Sequence, residues 1–182
     1  AILASGSEGN SINGNLISNC QGGVALRDAS GNNSIDGNEI TSCNISIFLG
    51  EADGNSIIEN NISDAYWGIW LDNSSRVQIE GNDIQSRSHG ILLLNGSSLY
   101  VSDNLVMIDD EGNSTSRAAL LANVSDVVFQ RNEIGGGEIG LAALDCQNNE
   151  LLYNNITQSN NAIYIQDAYG LNITNNSLIE GD

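Results

Sequence analysis

An asparagine set between aliphatic residues returns along this chain at a nearly constant interval. In the pattern aliphatic-x-x-Asn-x-aliphatic, the asparagines are Asn15, Asn38, Asn60, Asn82, Asn104, Asn132, Asn154 and Asn176. Successive copies lie 22 residues apart, except for a first step of 23 and a fifth of 28. Three residues before each Asn stands an apolar residue, from Ile12 to Ile173, and two after it another, from Ile17 to Leu178. Further inward pairs follow at nine and eleven residues, such as Val24/Leu26, Ile69/Leu71 and Ile163/Ile165. A unit this short cannot hold the helix pairs of the known helical solenoids, which take about 30 residues or more. Its apolar residues alternate as in strands, with Gly and Asn between the runs. Three short strands per 22-residue coil, stacked parallel at about 4.8 Å, account for the period. The expected fold is all-β: a single-stranded, right-handed parallel β-helix of about eight coils. The hand follows from the preferred crossover.

The Asn column has a structural meaning in such a fold. An amide at one corner of every coil donates to one neighbour and accepts from the other, so a polar group is satisfied at a buried bend. Thirteen residues past each Asn runs a second polar column, Asp28, Glu51, Asn73 and Asn95, then Asn123 after the six-residue insertion, Asp145 and Asp167. It reads as a ladder of turn residues, or as a row of oxygen ligands for Ca²⁺.

One domain spans residues 1–182, with six extra residues inserted within 107–117. The net charge of −18, from 23 carboxylates against five Arg and no Lys, disfavours nucleic acid and anionic membranes as partners. No apolar run is long enough to span a membrane. The chain opens directly on a strand-like Ile2-Leu3, as expected of a processed protein or of a segment of a longer solenoid. Wrapping from Asn176 round to Asn15 falls one residue short of a full period, so copies stacked head to tail would almost continue the helix.

The outward positions carry the functional expectations. The exterior of the third strand reads Ala25, Phe48, Trp70, Leu92, Leu120, Ala142 and Tyr164, an apolar strip that invites a second copy or an adjoining part of a longer chain. Its assembly residues are Phe48, Trp70, Leu92, Leu120 and Tyr164. Seven residues past their Asn, not counting the six inserted before Arg117, Trp67, His89 and Arg117 stack on successive coils, with Tyr66 and Glu138 one column away. Aromatics beside hydrogen-bonding groups suit a polysaccharide groove. No carboxylate pair presents itself as acid and base.

Cys20 and Cys43 occupy equivalent places on adjacent coils, close enough for a disulfide or for stacked free thiols. Ten Asn-x-Ser/Thr sequons favour a glycosylated extracellular protein, with Asn113, Asn44, Asn61, Asn155 and Asn172 as candidate acceptors. The inserted loop carries Asp109, Asp110 and Glu111, a solvated acidic loop or a contact for calcium, the only cofactor suggested.

The recurring "GNSI..N.I......GI.L" pattern resembles the parallel β-helix repeats of the pectate-lyase-like superfamily. It is similar to the Asn-rich repeats of archaeal and bacterial surface proteins and of the periplasmic copper-protein maturation family NosD. The resemblance covers nearly the whole chain and implies the fold. It implies little about activity, since the superfamily hosts lyases, hydrolases, epimerases, adhesins and surface-layer components. The chain departs from the enzymes in lacking basic catalytic candidates, and from a copper role in having one His and one Met. The expectation is a structural protein of the cell surface that self-associates. A carbohydrate-binding or carbohydrate-active module, and an adhesin or spacer segment, are the alternatives.

Overall fold

The computed structural model describes residues 2–109 and 115–180 as stacked parallel strands without a helix. Each coil contributes three strands. The first face runs from Ser11–Asn13 to Asn172–Thr174 and forms an eight-stranded parallel sheet. The second and third faces belong to one hydrogen-bonded sheet of 14 strands. They are separate in the first coils, as Leu16–Ser18 and Gly22–Arg27, and fuse into the long strands Asn61–Asp72 and Asp83–Leu94 in the third and fourth.

Register follows the repeat. On the first face Ile12, Ile35, Ile57, Ile79, Val101, Phe129, Leu151 and Ile173 pair in succession. The second face stacks Ile17 through Ile62, Val106 and Ile156 to Leu178. The third stacks Val24, Ile47, Ile69, Ile91, Ala119, Leu141 and Ile163. These columns fill the interior, and Ile35, Ile57, Phe129 and Leu71 are fully buried. Ile108 still pairs 22 residues back with Ser86, whereas Arg117 pairs 28 residues back with His89, so the six extra residues fall between these two positions of the sequence.

The ladder asparagines turn the corner between the first two faces. Asn60 shows the pattern: its Oδ1 accepts from the backbone N–H and the Nδ2 of Asn38. Its own Nδ2 donates to Asn82 Oδ1 and back to the Ile35 carbonyl, at 3.0 and 2.9 Å. The residue before each ladder Asn is left-handed in every coil. Gly14, Gly37 and Gly81 take this place, but so do Glu59, Asp103, Arg131, Tyr153 and Asn175, all with φ between 51° and 66°. The polar column thirteen residues past the Asn is left-handed too, from Asp28 at 55° to Asp167 at 50°. This accounts for its Asp and Asn content, since their short polar side chains tolerate that conformation best after Gly.

A shorter ladder joins Asn10, Asn33 and Asn55 at another corner. Farther on, its positions are taken by Val77, Leu99 and Val127, all buried.

Replacing Asn82 by Ala removes an acceptor for two Asn60 donors and a donor to the Ile57 carbonyl, all inside the core. Stability to urea falls by about 3 kcal/mol or more, since each buried orphan costs about 1–3 kcal/mol. Asn61→Ala, on an exposed neighbour, changes it by less than about 0.5 kcal/mol.

Candidate functional site

Two outward columns stand side by side on the third face. One is the middle column, Ala25, Phe48, Trp70, Leu92, Leu120, Ala142 and Tyr164, in register throughout. The other lies three residues earlier and stacks Ile45, Trp67, His89, Arg117, Ile139 and Asn161. In a flat strand, residues three apart point to opposite faces. Here the chain bends at two consecutive buried residues, Gly68 and Ile69. A Cβ on Gly68 would lie 2.5 Å from the Gly90 carbonyl oxygen, so the bend accepts only glycine at this point.

The bend brings Trp67 and Trp70 together, their ring centroids 5.0 Å apart and nearly perpendicular. Phe48 meets Trp70 edge-on at 5.1 Å, and Tyr66 meets Trp67 at 5.5 Å. The Arg27 guanidinium lies 4.9 Å from the Phe48 ring centre, a cation–π contact. Four rings therefore make one continuous cluster over the second and third coils, with Tyr66 45% exposed at its edge. The indole N–H groups of Trp67 and Trp70 are enclosed, with no hydrogen-bond acceptor among the described residues. Tyr66 and Trp67, expected for sugar binding, thus meet Phe48 and Trp70, expected for assembly, in one cluster.

The apolar strip is less open than its composition suggests. Leu92 is only 7% exposed and Ala142 is fully covered. Leu92 lies in register between Trp70 and Leu120, and Ala142 between the larger Leu120 and Tyr164. Phe48, Trp70 and Leu120 are half-buried, and Tyr164 remains 43% exposed.

His89 sits between Trp67 and Arg117 in its column, with Nδ1 2.8 Å from Ser88 Oγ. Burial, and then the neighbouring Arg117 charge, lower its pKa from 6.5 to about 4, so the imidazole is neutral at pH 7. Arg117 donates from Nη1 to the Thr115 carbonyl at 2.9 Å. Glu138 accepts from Asn160 Nδ2 at 2.7 Å, away from the aromatic cluster. The cluster itself gains two charged neighbours that spacing did not indicate. Asp64 and Arg87 border the same groove as Tyr66, together with Asn44 and the cysteines. Their only trace in the sequence is the broken alternation of "NISDAYWGI".

Cys20 and Cys43 are joined as a disulfide, Cα atoms 4.6 Å apart. Cys146 is buried in another column, and burial pushes its thiol up. Among the sequons, Asn61 and Asn172 are exposed and Asn44 and Asn155 half-buried. Asn113, Asp110 and Glu111 lie outside the described residues, and Asp109 just before them is exposed. Among the described residues, no three His, Cys, Asp or Glu side chains converge as a metal site. Among the same residues, no helix is long and apolar enough to cross a membrane.

The model of the NosD family, described as periplasmic copper-binding protein, matches residues 1–108. No curated protein sequence matches the chain. Two solved structures share its fold at low identity. The tailspike protein gp49 from Pseudomonas phage LKA1 aligns at TM-score 0.62 and 13% identity, over 84% of this chain and 31% of the tailspike. PfbA, a surface adhesin of Streptococcus pneumoniae, aligns at 0.63 and 12%, over 97% of this chain and 62% of the adhesin. The chain therefore spans less than two thirds of either protein.

The lowered His89 pKa makes stability depend on pH. Below 6.5 the unfolded chain takes up a proton at this residue, while the folded chain does not until about pH 4. Stability contributed by the neutral ring is thus complete above 6.5 and lost progressively as pH falls towards 4. His89→Gln should flatten this part of the profile, read as the difference in urea midpoint between wild type and variant from pH 7 to 5.

Proposed function

The chain belongs to the NosD family, and on that footing we propose that it works outside the cytoplasm as a carbohydrate-binding β-helix. The observation that carries this reading is the ring cluster of Tyr66, Trp67, Trp70 and Phe48 on one outer face. Flat apolar rings bordered by a few hydrogen-bonding groups form the surface on which a sugar's C–H face packs while its hydroxyls are held. The neutral His89 ring and the Arg117 guanidinium continue that surface by two coils. A disulfide between adjacent coils suits an oxidising compartment. It agrees with a periplasmic family and with a fold found in a phage tailspike and a surface adhesin.

Copper does not fit the donors in place. Soft thiolates, thioethers and imidazoles would have to converge on it. Two of the three cysteines are bonded to each other, and the third is buried. The single imidazole has Ser88 on Nδ1 and a cationic neighbour in Arg117. Among the described residues, no pair of carboxylates stands out beside the cluster as glycoside hydrolysis needs, and the reading proposed is binding.

Lateral self-association is the second reading. It rests on the half-buried Phe48, Trp70 and Leu120 and the exposed Tyr164, which leave apolar area to cover. Trp67→Ala separates the two. Under the carbohydrate reading it lowers retention in glycan-containing affinity gels at least tenfold without changing oligomeric state. Under the assembly reading Trp70→Asp and Leu120→Asp convert a multimer to monomers in light scattering, while glycan retention is absent from wild type as well.

A further inference from the structure

Pairing between the third and fourth coils slips twice. Ile62 faces Ile84, Ala65 faces Ser86, and Trp67 faces His89. The third coil therefore holds an extra residue between Ile62 and Ala65, and the fourth holds one between Ser86 and His89. The two bulges cancel, so the 22-residue period is kept. Asp64, left-handed at φ 52°, occupies the first, and Arg87 lies in the second. Bulges of this kind leave a residue unpaired and re-aim its side chain.

Both side chains are 63% exposed, and their nearest approach is 3.8 Å. That is too long for a hydrogen bond. Arg76 with Asp53 and Arg131 with Asp103 close to 2.9 and 2.8 Å. The Asp64 oxygens and Arg87 donors are therefore not spent on each other. They border a groove of about 570 Å³ at the corner between the second and third faces, lined also by Gln21, Asn44 and Tyr66. Tyr66 is the shared edge, touching Trp67 of the ring cluster on its other side.

We propose that this groove is the part of the carbohydrate surface that selects the ligand, and that its ligand class is a neutral, hydroxyl-rich glycan. The inference rests on the carbohydrate reading above and adds the class. Asp64 accepts from sugar hydroxyls, Arg87 donates to hydroxyl or ring oxygens, and the Gln21 and Asn44 amides do both. The two formal charges cancel. A polyuronate would bring a carboxylate beside Asp64 in the field of a chain of net charge −18, and a polyamine would bring a cation beside Arg87. The groove runs from Gln21 in the first coil to Arg87 in the fourth. Those three steps, about 14 Å at 4.8 Å each, lay the glycan along the helix axis.

Affinity electrophoresis and calorimetry with neutral glucan and mannan fragments, polygalacturonate and chitosan oligomers test this. The variants are Asp64→Asn, Arg87→Gln, Tyr66→Ala and Trp67→Ala. The expected result is retention by a neutral glycan, weakened about tenfold by Asp64→Asn and by Arg87→Gln at unchanged thermal stability, since both side chains are exposed. Retention that falls with Trp67→Ala but not with either charge variant would remove the groove and leave the carbohydrate reading standing. Preference for polygalacturonate or chitosan would overturn the neutral class alone. Failure of wild type to bind any of the probes would overturn both.

Discussion

A side-chain amide that accepts from one coil and donates to two carbonyl-type oxygens lets the backbone turn a corner within its own core. Without it, the bend between the first and second faces would leave N–H and C=O groups facing aliphatic columns. Asn60 fills that place because its reach matches the coil spacing and because one amide both donates and accepts. Once the corners are settled, every interior position is dictated by the coil before it. Each Ile on the first face lies on another Ile, Val, Phe or Leu. The exterior is under no such obligation, and that is where residues differ from coil to coil.

The third face shows what that freedom is used for. Glycine at 68 and 90 admits the close approach of neighbouring backbones, and the two consecutive buried residues Gly68 and Ile69 leave Trp67 and Trp70 on either side to meet in one cluster. Two bulges that offset each other project Asp64 and Arg87 beside it while the strands on either side stay in step. Aromatic surface, a neutral imidazole and an open ion pair thus share one corner of the solenoid. Among the described residues, the metal named in the family's description finds no comparable gathering of donors. Family membership speaks to architecture and compartment, while the glycan reading rests on the proposed site alone.

The fold was legible because a stacked coil repeats its demands at a fixed interval. The Ile columns, the Asn ladder and the six-residue insertion before Arg117 all appear as spacing. Where a demand is local, spacing is silent. The ladder of Asn10, Asn33 and Asn55 spans too few coils to stand out from a chain rich in Asn. The bulges at Asp64 and Arg87 compensate, so the count between ladder asparagines stays at 22. The contact of Trp67 with Trp70 needed the bend at Gly68, which alternation alone does not reveal. The cover over Leu92 depends on how the neighbouring Trp70 and Leu120 lie, a matter of packing rather than pattern.

The direction of the main-chain hydrogen bonds has a mechanical consequence. All the ladders connect one coil to the next, so the bonds run along the solenoid axis. Tension applied along that axis loads the bonds of one coil boundary at a time rather than shearing a whole sheet at once. Each coil that peels away frees 22 residues, roughly 70 Å of extended chain, before the next boundary bears the load. A solenoid bonded in this way lengthens in steps under pull, each step the length of one coil, and shortens as coils restack.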